Sequence, residues 1–461
     1  MHIDDAWLGE HAYFQSKLGY VKSNFMEGLT LQEIRVLCHH KLMTLQGALV
    51  IDTFGFGLFL LKGISLVYFT IFLLLSFNYL KDKFSSTYIY LFYLLLFGSP
   101  LVFEFAFVFR PEIPLMTIGF SLYLVLERLK NNPENGNYLA AFGGLLAGIG
   151  FSTHLNGVIF LLAGITVLCL SKRYRKVVFF VIGFLPGAAV YFYDYRSLED
   201  FNFFVFQVYN SPLVEKIEGN FVLSILTRIV EEHLRFFHSP PEIIISIILV
   251  FSVVLLYKRK MEDQTLMHYF LALALFLAIF SANKTSKYVI IFIPYIFIIY
   301  LNAIQTVRKF EYKNAFTFIV LFGVLYFSIG IICEFNLIKS RYSNDRYADA
   351  FKKCFINDFK SCSIVAPMQL IFYGYNKFKS IQSQLLYTEL QKSDKSITGI
   401  QFLERTRSFG IDFAMVSDTY IDQLGLLNLS KKECESHGFE KIYDAENIRI
   451  YKNLNGGCVQ H

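Results

Sequence analysis

Charge is scarce in this sequence for its size. Of 461 residues only 17% are Asp, Glu, Lys or Arg, where soluble domains carry roughly 25%. Apolar residues take their place, at 54% of the chain with a mean hydropathy of +0.44, and this excludes an ordinary soluble globular protein. Tryptophan occurs once, so aromatic anchoring at a bilayer interface falls to 29 Tyr and 51 Phe. The 7 cysteines lack any paired CxxC spacing, which argues against a structural zinc site. Four of them, Cys354, Cys362, Cys434 and Cys458, fall in the C-terminal tail. In an exported tail a Cys354–Cys362 bridge is one arrangement, and free or partly buried thiols are the other. No cleavable signal peptide is expected, because the chain opens on the polar segment Met1-His2-Ile3-Asp4-Asp5.

Long apolar runs stand out instead. About ten stretches are apolar enough to be helices crossing ~30 Å of hydrocarbon: 63–80, 87–105, 111–127, 139–155, 157–171, 177–195, 241–257, 264–281, 288–304 and 315–333. The earlier stretch 43–61 holds Asp52 and three Gly, and reads as an interfacial or re-entrant segment, with a true span as the alternative. The formal charge of +6 sits largely in short loops, where it marks orientation and not nucleic-acid binding. Lys81 and Lys83, Arg128 and Lys130, Lys172 to Lys176, Lys258 to Lys260, and Arg308 to Lys313 fall in alternate loops, which assigns those loops to the cytoplasm. The N-terminal segment 1–62, the turns at Arg110, His154 and Lys284, the loop 196–240 and the tail then share the opposite side.

The tail changes character. Ser363-Ile364-Val365-Ala366, Phe413-Ala414-Met415-Val416 and Asn447-Ile448-Arg449-Ile450-Tyr451 read as strands between amphipathic helices. The expected fold is therefore an α-helical polytopic membrane protein with a small C-terminal α/β extracytoplasmic domain. Its expected division is 1–335, with 1–62 as an external loop carrying interfacial helices, and 336–461.

Polar residues at the non-cytoplasmic helix ends carry the chemistry, because charge at the membrane edge usually lines a cavity or performs a task. Asp4-Asp5, followed by Trp7, Glu10 and His11, supplies carboxylates for a general base or a solvated acidic terminus. Arg110-Pro111-Glu112, with Glu104 shortly before, makes a charged turn between spans. Pro111 suits the first turn of the next helix, and Glu112 its positive end. A structural salt bridge explains the same residues. His154 and Asn156 serve either packing or a ligand. Lys284 and Lys287, beside Tyr288, lie where positive charge is disfavoured; they point to an anionic partner such as phosphate, or snorkel to lipid head groups.

With these residues in hand, the chain resembles the GT-C superfamily of membrane glycosyltransferases, most closely the protein-mannosyltransferase and aminoarabinose-transferase type and the bacterial RgtA/B/C/D-like group. The resemblance rests on Asp4-Asp5 in the first external loop, on Gly98-Ser99-Pro100 leading to Arg110-Pro111-Glu112, on Gly143-Gly144-Leu145-Leu146-Ala147-Gly148 running to Thr153-His154, and on Lys287-Tyr288 before Pro294. These follow one another in order over roughly residues 1–335. Members often carry Asp where Glu112 stands. They also place a transmembrane helix ahead of the acidic pair, expected here either upstream of the assigned start or lacking.

The resemblance implies inverting transfer of a sugar from a polyprenyl-phosphate donor to an exported glycan, lipid or protein. The location it implies is the bacterial inner (plasma) membrane, with the active site outside the cytoplasm. Asp4 or Asp5 would take the acceptor's proton, and Arg110, Lys284 and Lys287 would steady the leaving phosphate. Glu112 and His154 would hold a divalent metal or orient the cations, and Tyr288 would complete the substrate site. Trp7 or Tyr13 would stack on a sugar or anchor at the interface. An O-antigen ligase or polymerase-like enzyme, a lipid-linked sugar flippase or transporter, and a non-catalytic scaffold are the competing readings.

Overall fold

The structure, a computed structural model, describes residues 3–131, 136–210, 221–257, 264–281, 284–342, 346–355, 359–388, 398–417, 429–445 and 447–456. Two helices precede the apolar bundle: α1 (Ile3–Leu18) and α2 (Lys41–Phe54). The bundle follows as α3 (Leu58–Lys81), α4 (Ser86–Phe97), α5 (Pro100–Ala106), α6 (Glu112–Asn131), α7 (Gly136–Thr153), α8 (Val158–Leu170) and α9 (Tyr174–Ala189). Next come α10 (Leu198–Asn210), α11 (Phe221–Val230) and α12 (His233–Phe236), then α13 (Pro240–Tyr257), α14 (Gln264–Phe280), α15 (Ile293–Lys309) and α16 (Lys313–Tyr342).

Helices form in all ten apolar stretches, but their lengths differ. Among the described residues, four helical segments are long and apolar enough to cross a membrane: Leu58–Lys81, Tyr174–Phe192, Pro240–Tyr257 and Lys313–Ser340. The stretch expected as one span over 87–105 is broken at Gly98-Ser99 into α4 and α5, bent by 69°; counted together, the pair makes a fifth. Pro100 explains the break, since it has no N–H to give to the preceding turn. Two of the expected basic loops meet neighbours at the same end of α6, while Lys258 to Lys260 lie outside the described residues. Lys83 pairs with Glu127, and Arg173 donates to the carbonyls of Leu129 and Lys130. Lys62 and Lys81 lie 19 residues apart on α3, about 28 Å at 1.5 Å per residue, so the two ends of that helix are separated by nearly a hydrocarbon core.

The glycine-rich motif in α7 has a packing role. A Cβ on Gly144 would meet the carbonyl oxygen of Phe180 at 1.8 Å, and one on Gly148 would meet that of Phe184 at 2.3 Å. On the facing helix, a Cβ on Gly183 would come within 1.9 Å of the Ala141 oxygen. α7 and α9 thus cross backbone to backbone, as small residues permit inside membranes.

Beyond α16 a five-stranded sheet forms, with order β2-β1-β3-β5-β4: β1 (Phe359–Ala366), β2 (Phe378–Ser383), β3 (Phe413–Ser417), β4 (Phe439–Ala445) and β5 (Ile448–Asn453). β2, β1 and β3 are parallel; β5 runs antiparallel to β3, and β4 runs antiparallel to β5. One face of this sheet shares a core with the N-terminal segment. Ala6, Phe25 and Met26 pack with Ile364, Met415, Ile448 and Ile450, and Ser383 N donates to the Phe25 carbonyl at 3.2 Å. The Cys354–Cys362 bridge does not form: Cys354 is free, and Cys362 is disulfide-bonded to another partner.

The α7–α9 contact predicts that Gly144→Ala will lower the thermal stability of the purified protein by about 1–3 kcal/mol. Ala in place of Gly63, whose Cβ would meet nothing within 4 Å, should leave the unfolding midpoint nearly unchanged.

Candidate active site

The site is built where α1 meets the turn between α5 and α6. Asp4 and Asp5 occupy the first turn of α1, where the helix dipole favours carboxylates. Neighbouring residues on a helix point in different directions, and the pair divides accordingly. Asp5 is fully buried. Its Oδ1 accepts the Phe109 backbone N–H at 2.7 Å, and Oδ2 lies 3.2 Å from Lys62 Nζ. Asp4 is half-buried and pairs with Arg110 Nη1, while Lys287 Nζ stands 3.7 Å from the same oxygen.

Arg110 joins both carboxylate sets. Its Nε is 3.0 Å from each oxygen of Glu112, and Nη2 is 2.5 Å from Oε1. Glu112 is buried at the start of α6. Pro111 falls one position earlier than its expected place inside the first turn, because its carbonyl already accepts the helical bond from Leu115 N at 2.8 Å.

A row of rings lines the adjoining wall. His154 Nδ1 accepts the Asn156 N–H at 2.9 Å, and Nε2 bonds the Tyr288 hydroxyl at 3.1 Å. The His154 ring stacks on His40, centroids 4.6 Å apart; His40 lies edge-on to Trp7, and Trp7 to His11. Burial pushes the His40 ring down to about 4 against the opposing pull of Glu112, and it holds His154 well below the usual imidazole range. These rings are therefore neutral at pH 7, able to hydrogen-bond and stack but not to neutralise a phosphate. Lys287 is lowered first by burial and then by Arg110, with Glu112 and Glu104 opposing.

Of the residues read from the sequence, Asp4, Asp5, Arg110, Glu112 and Lys287 come together, with His154 and Tyr288 beside them. Lys284 does not join. It lies 2.9 Å from Glu232 and donates to the Ala278 and Ser281 carbonyls at 3.0 and 3.2 Å, which turns it into a second ion cluster with the buried Arg235. The two clusters adjoin at Tyr288, whose ring lies 5.3 Å from the Arg235 guanidinium carbon. The metal role for Glu112 and His154 does not fit. Both Glu112 oxygens face Arg110, both His154 nitrogens are already bonded, and no group of three or more metal-ligating side chains occurs among the described residues.

Lys62, His40 and Arg235 are partners that the sequence reading did not assign to the site. Lys62 carried the same signal as Lys287, a lysine at a helix end on the side where positive charge is disfavoured. His40 carried only the His39-His40 doublet.

Glu10, one helical step from the site, fixes the following loop. It accepts the Ser23 hydroxyl at 2.6 Å and the Asn24 and Phe25 N–H groups at 2.9 and 3.2 Å. Burial raises its carboxyl from 4.5 to about 8 against those three bonds. The folded state therefore binds an extra proton between those values, and the Glu10 contribution to stability falls as pH rises through that window. Thermal unfolding across pH 5–9 should show this decline, and Glu10→Gln should flatten it.

No protein-family model matches the sequence, and no curated protein matches it. Two crystal structures share its architecture at low sequence identity. ArnT from Cupriavidus metallidurans in the apo state superposes with a TM-score of 0.60 at 11% identity, over 97% of this chain and 93% of that one. The same protein bound to undecaprenyl phosphate gives 0.58 at 11% identity, over 99% and 95%. This chain therefore shares the fold of these two ArnT structures.

Proposed function

We propose that this protein transfers a sugar from a polyprenyl-phosphate donor to an exported acceptor at the non-cytoplasmic face of the membrane. The observation that carries the reading is the cluster of Asp4, Arg110, Glu112 and Lys287, two carboxylates and two cations gathered where α1 meets the α5–α6 turn. The ArnT structure bound to undecaprenyl phosphate supports a donor of this class.

The two aspartates divide the work. Asp5 is the anchor, since it is fully buried between the Phe109 N–H and Lys62. Asp4 is the base, because its side chain remains 22% exposed beside the cations. The acceptor hydroxyl attacks the anomeric carbon as the bond from that carbon to the phosphate oxygen breaks. The hydroxyl proton passes to the Asp4 carboxylate, and polyprenyl phosphate leaves with the electron pair. Single displacement inverts the anomeric centre. Arg110 and Lys287 steady the charge growing on the leaving group. An arriving phosphate competes with Asp4 for both cations, and a carboxylate relieved of a cation is a stronger base. Donor binding would thus prepare Asp4 for its task.

The non-cytoplasmic placement draws support from the alternation of basic loops and from the disulfide at Cys362, a bond that persists in oxidising compartments. A bacterial inner membrane suits both. We propose further that the shorter helices cross as well, giving about ten spans, and that residues 336–461, packed on the segment bearing Asp4 and Asp5, select the acceptor.

Transfer of labelled sugar from a panel of polyprenyl-phosphate sugars by purified protein tests the reading. Asp4→Asn should lower turnover by about 10²–10⁴-fold, with unfolding temperature unchanged. Arg110→Ala should abolish transfer, and Lys287→Ala should weaken donor binding. Wild-type turnover from a folded Asp4→Asn protein would remove Asp4 as the base.

A further inference from the structure

A second polar feature lies among the apolar helices, away from the ion cluster. Glu334 sits 21 residues along α16 from Lys313, about 31 Å at 1.5 Å per residue, and so at the end of that helix opposite the basic loop 308–313. Only 7% of the residue is exposed, and its Oε1 has no hydrogen-bond partner. It lines a cavity of 610 Å³ with Tyr90, Tyr93, Phe97, Phe103 and Phe327. α16 is pressed close to the α4–α5 break there: a Cβ on Gly330 would meet the Gly98 oxygen at 1.9 Å. Tyr90, Leu94 and Phe97 are exposed on the outer surface of the bundle, so the cavity opens sideways towards lipid.

A buried carboxylate in such surroundings calls for a cation or a strong donor. The lining residues supply neither Lys, Arg nor His; apart from the glutamate they are aromatic and aliphatic. Aromatic faces attract cations and most strongly where water is excluded. An anionic head group is disfavoured by the same carboxylate, which separates this cavity from a phosphate site. α5 stands between the two: Phe103 lines the cavity, while Glu104, the next residue, acts on Lys287 at the ion cluster. The depth of Glu334 along α16 matches the head-group level of a bilayer.

We propose that this lateral cavity binds the ammonium head group of an ethanolamine phospholipid. The ammonium hydrogen-bonds Glu334 and rests against Tyr93 and Phe103, with the lipid phosphate outside in the interfacial layer. The site is separate from the proposed transfer reaction and holds whether or not that reaction is confirmed.

Native mass spectrometry of the full chain in detergent, with phosphatidylethanolamine, its N-acetylated derivative and phosphatidylglycerol offered in equal amounts, tests the site. Wild-type protein should retain phosphatidylethanolamine about tenfold over the N-acetylated lipid, the difference that one hydrogen bond to a charged group makes. Glu334→Gln should lose that preference, Glu334→Asp should keep part of it, and both should unfold at the wild-type temperature. Equal retention of the N-acetylated lipid or of phosphatidylglycerol by wild-type protein would overturn the proposal and leave the cavity as an acyl-chain groove. A preference that survives in Glu334→Gln would overturn it equally. Should Glu334→Gln fail to fold, the comparison of the three lipids on wild-type protein decides alone.

Discussion

One guanidinium holds this end of the molecule together. Arg110 bridges Asp4, 106 residues earlier in the chain, and Glu112, two residues later. The first partner belongs to a helix outside the apolar bundle, the second to the start of a helix inside it. Removing the arginine would strip the buried Glu112 carboxylate of its ion pair and leave Asp4 beside Lys287, and an uncompensated buried charge is strongly destabilising. The Asp5 contacts to Phe109 N and Lys62 then align α1 against the same turn. The exposure of Asp4, the burial of Asp5 and the position of Lys287 all follow from this junction.

The fold was legible in the sequence where the signal was long or charged. Ten apolar stretches became helices because burial of that many consecutive apolar residues leaves the backbone only itself to bond with. Their capacity to span was less legible. A run of apolar residues does not reveal a 69° break such as the one at Gly98-Ser99, nor whether a helix like α15, apolar and almost wholly buried, is covered by protein or by lipid. In the sheet, the central strands β1, β3 and β5 carry the apolar runs that announced them. The edge strands β2 and β4 did not, since Phe378-Lys379-Ser380-Ile381-Gln382-Ser383 and Phe439-Glu440-Lys441-Ile442-Tyr443-Asp444-Ala445 carry the polar and charged residues that keep exposed edges from pairing.

The site was legible in its residue types and less so in its pairings. Charge at a helix end marks a residue as unusual, but the sequence does not say which opposite charge it will meet. Lys284 and Lys287 looked equivalent, three residues apart before the same helix. Glu232, in a loop far upstream, captures the first, and the second is left beside Asp4. Likewise Glu112 and His154 had the right chemistry for a metal, yet Arg110 and Tyr288 engage the very atoms a metal would need. Long-range partners decide such outcomes, and these lie beyond local pattern.

The shared core of the first helix and the last strands carries a consequence for biosynthesis. Ala6, in α1, and Ile448, in β5 more than 400 residues later, belong to one buried cluster. A nascent chain therefore holds its acidic pair on an unfinished support until the ribosome has completed the sheet and that sheet has reached the same side of the bilayer. A product truncated before the sheet would carry all the charged side chains of the site without the surface that holds α1 in place.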